Sequence, residues 1–108
     1  MTQFNDREKA FESMYARDQE LQFKIVARRN RLLGMWAANK MGLTEAEADA
    51  YAREVIRADF EEAGDDDVVR KLLGDLTSAG VEIDDATIRQ AIEHKMVEAR
   101  RQFIEAQN

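Results

Sequence analysis

Asp18 to Met41, DQELQFKIVARRNRLLGMWAANKM, is the stretch on which the fold turns. Leu21, Ile25, Leu32 and Trp36 recur at helical spacing, and Phe23, Val26, Leu33 and Ala37 form a second stripe beside them. Together they predict a helix with a broad buried face. Glu20 and Lys24 make a favourable i,i+4 pair on its outer side. Gly34 in the interior of such a helix costs about 1 kcal/mol relative to Ala, which points to a place where another helix packs closely.

Towards the N-terminus nothing breaks the pattern, because the chain has no Pro and no Gly before Gly34. The composition changes, however. TQFNDREKAFESMYARDQ is mostly charged and polar, with Phe4, Phe11, Met14 and Tyr15 as sparse apolar positions at helical spacing. Phe4, Phe11 and Tyr15 fall at i, i+7 and i+11, the pattern of an amphipathic peptide that docks into a groove. Two readings stay open for residues 1–18: a recognition arm that orders on binding, or an extension of the first helix that packs on the rest of the protein.

Towards the C-terminus, glycines punctuate the helical patterns. Gly42 ends the first helix. Thr44, with Glu47 three residues later, is a capping box that starts a second, expected over about 45–63 with Ala48, Ala52, Val55, Ile56 and Phe60 inward and Gly64 closing it. Asp49 and Arg53 pair along it. GDDDVV then opens a third helix, about 66–79, whose first-turn aspartates suit the positive end of the helix dipole; Val69, Leu72, Leu73 and Leu76 point inward. Asp84 caps the last helix, about 85–106, with Ile83 and Ile88 as a hydrophobic staple and Ile88, Ile92, Met96, Ala99 and Phe103 inward. No segment alternates with period two, so no strand is expected. The expected fold is all-α: a four-helix bundle over residues 19–108, its helices at about 18–41, 45–63, 66–79 and 85–106, preceded by a mobile, potentially helical N-terminal arm over 1–18.

At 108 residues, without cysteine and with a single histidine, the chain is expected to be one domain with no disulfide framework. No apolar run reaches the roughly 20 residues that span a bilayer, and Asp6, Arg7, Glu8 and Lys9 interrupt any signal-peptide core. The formal net charge is −6, which argues against nucleic-acid binding. Its distribution is uneven: residues 1–31 carry seven basic and five acidic side chains, residues 32–67 three basic and ten acidic.

Motifs of chemistry are missing. Counted from Asp65, the sixth and twelfth positions of a calcium loop are Arg70 and Leu76 rather than Gly and Glu. A di-iron site needs Glu-x-x-His, but the residue three before His94 is Ala91. GDLTSAG at 74–80 is neither a nucleophile elbow nor a phosphate loop. No enzyme is expected. ARRNR at 27–31, near Trp36, is the densest basic cluster; Arg28, Arg29 and Trp36 could serve ADP or ATP through guanidinium contacts and stacking, or the arginines could lie on a solvated helix face with their stems over the core edge.

FNDREKAFE at 4–12, ARRNRLLGMWAA at 27–38 and AYAREVIRADFEEAGDDDVVRK at 50–71 resemble the zeta subunit of alphaproteobacterial ATP synthases, and the similarity runs along essentially the whole chain. The resemblance implies a four-helix bundle with an inhibitory N-terminus that blocks ATP hydrolysis by the rotary F-type enzyme. It implies that this segment inserts as a helix between the catalytic alpha and beta subunits, reaching the gamma shaft. Carried onto this chain, Phe4, Phe11, Met14 and Tyr15 become apolar anchors and Arg7, Glu8, Lys9 and Arg17 polar contacts. A cytoplasmic protein, monomeric when free and peripheral at the inner membrane through the enzyme, is expected. His94 lies far from the arm, which argues against a histidine-based pH switch.

Overall fold

The computed structural model describes the backbone of residues 2–107 and the side chains of residues 18–106. It contains four helices: α1 (Thr2–Met41), α2 (Glu45–Ala58), α3 (Asp66–Ser78) and α4 (Asp85–Gln107). No strand occurs among the described residues. α1 is the axis of the molecule. Its 40 residues span about 60 Å at 1.5 Å per residue, close to the 65 Å length of the whole chain, whose other dimensions are 29 and 22 Å.

α2 and α4 lie along the C-terminal half of α1, and α3 bridges them. Leu33, Val55, Val68, Leu72, Leu76 and Ile88 are fully buried at the centre, and burying each such side chain contributes roughly 2 kcal/mol. Ile25, Ala37, Ala38, Tyr51, Ala52, Ile92 and Ala99 complete the packing. Tyr51 keeps its polar end satisfied by donating to Asp75 Oδ2 at 2.7 Å. Burial and that bond push the phenol pKa far up, so it stays a donor.

The turns are built as the sequence suggests. At the end of α1, Gly42 adopts φ +73, and the amides of Leu43 and Gly42 return to the carbonyls of Ala38 and Asn39. That closes the helix with a left-handed cap that disfavours any residue with a side chain. Thr44 follows at once and caps α2: its hydroxyl accepts from the Glu47 amide while the Glu47 carboxylate accepts from the Thr44 amide. Gly80, at φ +84, repeats the left-handed cap after α3, and Asp84 accepts from the Thr87 amide at 2.8 Å at the start of α4.

Gly34 marks the closest helix approach. A Cβ placed there would stand 2.6 Å from the Ala52 Cα, so α1 and α2 cross at a distance that only glycine allows. The close packing expected of this residue is present.

Two expectations need correction. α2 stops at Ala58, short of the expected Ala63, and Gly64 sits inside the following loop. Phe60 and Phe23, both read as inward, are 64% and 57% exposed. The cause is tertiary: Asp59 keeps helical backbone and meets Asn30 of α1, but Asp65 pairs with Arg29, and a helix continued through Ala63 would carry Asp65 elsewhere. Buried Asp67 holds the loop by accepting from the amides of Glu62 and Val68. Asp65, at the cap position of α3, makes no side-chain cap bond.

Candidate functional site

Among the described side chains of α1, Asp18, Gln19 and Glu20 are exposed, Leu21 is the first half-buried residue and Ile25 the first buried one. Upstream of Leu21 the helix continues without interruption to Thr2. Phe4, Arg7, Glu8, Lys9, Phe11, Met14, Tyr15 and Arg17, the expected partner-binding residues, have side chains outside the described residues; their backbone belongs to α1.

Where α1 enters the bundle, Arg29 and Asn30 anchor it. Arg29 is 2% exposed and Asn30 1%. Arg29 Nη1 donates to Asp65 Oδ1 at 2.9 Å, and its Nε and Nη2 fork onto the Asn30 Oδ1 at 3.1 and 2.8 Å. Asn30 Nδ2 donates onward to Asp59 Oδ2 at 2.9 Å, and Arg29 Nη2 lies 3.7 Å from the other oxygen of Asp59. The network ties the root of the arm to the α2–α3 loop. Among the described residues every buried side-chain nitrogen and oxygen has a partner, as the cost of an unpaired buried polar group requires.

This network was missed by reading ARRNR as one patch. Its arginines go three ways. Arg28 reaches α4, donating to Gln102 at 2.9 Å with its guanidinium 5.5 Å from the centre of the Phe103 ring. Arg29 is buried as described, not on a solvated face. Arg31 pairs with Asp49 of α2 at 3.3 Å. Trp36 lies beneath the Lys40 ammonium, 5.2 Å from its ring centre. Arg28, Arg29 and Trp36, grouped for ADP or ATP, are thus engaged with separate partners. A usable signal existed: Arg29 lies four residues from both Ile25 and Leu33, inside a buried stripe.

Among the described residues no helix is long and apolar enough to cross a membrane. No group of three His, Cys, Asp or Glu is placed to hold a metal ion there.

Comparison with known proteins relates the chain to a family and to a solved structure. The family model described as ATPase inhibitor subunit zeta matches residues 1–102, so arm and bundle fall within it together. A protein solved by solution NMR is 46% identical and superposes with a TM-score of 0.71, over 80% of this chain and 98% of that one. No curated protein matches.

Proposed function

This chain belongs to the ATPase inhibitor subunit zeta family, and on that premise we propose that it restrains ATP hydrolysis by a rotary F-type ATP synthase through its N-terminal arm. The observation that carries the reading is the course of α1: one helix from Thr2 to Met41, whose described side chains are exposed at Asp18, Gln19 and Glu20 and first half-buried at Leu21. The helix before Leu21 is about 30 Å long at 1.5 Å per residue, enough to enter a groove between subunits.

In this reading the arm inserts as a helix at the catalytic alpha/beta interface beside the gamma shaft. Phe4, Phe11, Met14 and Tyr15 fill apolar sites, and Arg7, Glu8, Lys9 and Arg17 meet polar groups around them. No bond is made or broken by the inhibitor. It binds one rotational state of the enzyme more tightly than the others, so that state accumulates and turnover falls. An arm already helical before it binds gives up less conformational entropy on insertion than a disordered one. The protein would be monomeric when free and held at the cytoplasmic face of the inner membrane through its partner.

Deletion of residues 1–18 tests this. The truncated chain should retain the circular dichroism and cooperative melting of the bundle, yet leave ATPase activity at its uninhibited level. Inhibition by the truncated protein equal to that of the full chain would overturn the reading.

A further inference from the structure

Positions 4, 15, 26 and 37 are spaced by 11 residues, as are 11, 22 and 33. Eleven residues are three helical turns to within about 20°. Phe4, Phe11 and Tyr15 therefore fall within about 40° of Leu33 around α1, on the side where Leu33 and Ala37 are fully buried against the bundle. A partner docked on that register of the arm lies on the side of α1 that the bundle occupies further along. Partner and bundle are then stacked end to end on one helix face and must meet near Gln19 to Phe23.

The bundle end at that point is apolar and unusually exposed. Phe23 and the loop residue Phe60 stand with ring centres 5.7 Å apart, tilted by 33°, and both are more than half exposed. Behind them is a cleft of about 60 Å³ walled by Val26, Ala27, Ile56 and Asp59. Around Phe60, residues 59–67 carry six carboxylates, five of them outside the core and the sixth, Asp67, buried. Arg29, Arg70 and Arg89 pair with four of these acids, Asp59, Asp65, Glu62 and Asp66, which leaves the rim net negative. Two exposed aromatics inside an acidic rim fit an apolar surface bordered by lysine or arginine.

We propose that Phe23 and Phe60 form a second docking site of the inhibitor, a seat that meets the ATP synthase surface at the mouth of the groove entered by the arm, and that this surface is apolar with a basic border. The proposal rests on the arm-insertion reading. The seat fixes how far the arm can enter, and it adds contact area that the arm alone lacks.

The test compares three full-length proteins in one ATPase titration: wild type, F23S/F60S and the arm variant F11S. A benzophenone side chain at position 60 gives a second readout. Both phenylalanines are solvent-exposed, so F23S/F60S should melt like wild type while inhibiting about tenfold more weakly. The position-60 probe should crosslink to the enzyme, and should stop doing so when residues 1–18 are deleted. Wild-type inhibition by F23S/F60S alongside weakened F11S overturns the seat and leaves the arm reading standing. Wild-type inhibition by both variants overturns the two together. A dimer of the free protein in sedimentation, dissolved by F23S/F60S without change in inhibition, overturns the seat by assigning the patch to a second copy. Should F23S/F60S fail to fold, absence of the position-60 crosslink overturns the proposal by itself.

Discussion

Residues 2–20 and 21–41 of α1 belong to one helix and share one apolar register, and the described side chains on the two sides of Leu21 differ in burial. From Leu21 onward α2 and α4 cover that register, and Leu33, Ala37 and Ala38 are fully buried. Before it, Asp18, Gln19 and Glu20 are all exposed. An isolated helix of about twenty residues is marginal in water, so the packed half supplies a folded end from which the other half propagates without a new nucleus. The same local pattern thus serves stability in one half and, in the proposed function, recognition in the other. Substitutions in the packed half should move the melting temperature and spare inhibition below melting; substitutions in the arm should do the reverse.

The severest way to strain that division is Arg29→Met. It strips the guanidinium from Asp59, Asp65 and the Asn30 Oδ1 while leaving those groups in place. Breaking a buried pair from one side costs about 3 kcal/mol, or roughly 15 °C in melting temperature for a domain of this size. Inhibition measured at 10 °C should be unchanged. A variant that melts normally but inhibits poorly would move Arg29 from the bundle's stability to the partner's interface.

Gly34→Ala comes next. The substitution gains about 1 kcal/mol of helix propensity, but its Cβ meets a backbone atom of Ala52 at 2.6 Å, and backbone has no rotamer by which to yield. Overpacking should win and leave a net loss of about 2 kcal/mol in chemical denaturation. A stabilised variant would mean that α1 and α2 can separate freely.

These two residues also mark the boundary of what the sequence makes legible. Gly34 could be read because an unexplained glycine in a strong helix has few purposes. Local signals carry the caps as well: Thr44 with Glu47, and Asp84 with Thr87, act within three residues of themselves. Arg29 offered only its place in the stripe of Ile25 and Leu33 as a signal, since its partners lie 30 and 36 positions away and hydropathy places any arginine outside. The early stop of α2 has the same origin. Nothing in ADFEEAG breaks a helix before Gly64; the break goes with Asp65 pairing with Arg29 of α1 and Asp67 accepting from the Glu62 amide. Phe60 stands in the loop so formed, which is why its part in the candidate seat was hidden.

A smaller effect is expected at the start of α2. Thr44→Ala removes one side of the capping box and should cost about 1 kcal/mol. The Thr44 amide holds the Glu47 carboxyl below its ordinary pKa, as the Thr87 hydroxyl and amide hold Asp84 and Arg89 holds Asp66. Lowered folded-state values mean stability that is complete above the ordinary carboxylate range, about pH 4, and lost as the pH falls through the lower folded values. Wild type should therefore lose melting temperature on acidification below about pH 4, and Glu47→Gln, which leaves no carboxyl to titrate at the cap, should show less of that dependence.

The smallest change in stability and the most informative change in function belong to Asp18→Pro. Proline at this position removes the bond from its amide to the carbonyl of residue 14 and drives its ring into that carbonyl; it also pushes residue 17 out of the helical region. Position 18 precedes the first packed residue, so the melting temperature should move by no more than a degree or two. If the arm works as the free end of one stiff helix, the kink redirects Phe4, Phe11 and Tyr15 away from the register of Leu33 and Ala37, and inhibition should weaken by about tenfold or more. Asp18→Ala keeps the helix and removes only the charge, and it should inhibit as wild type does. Equal inhibition by both would mean that the arm acts as a tethered peptide. The bundle would then serve only to hold it, and the shared register along α1 would have no part in directing it.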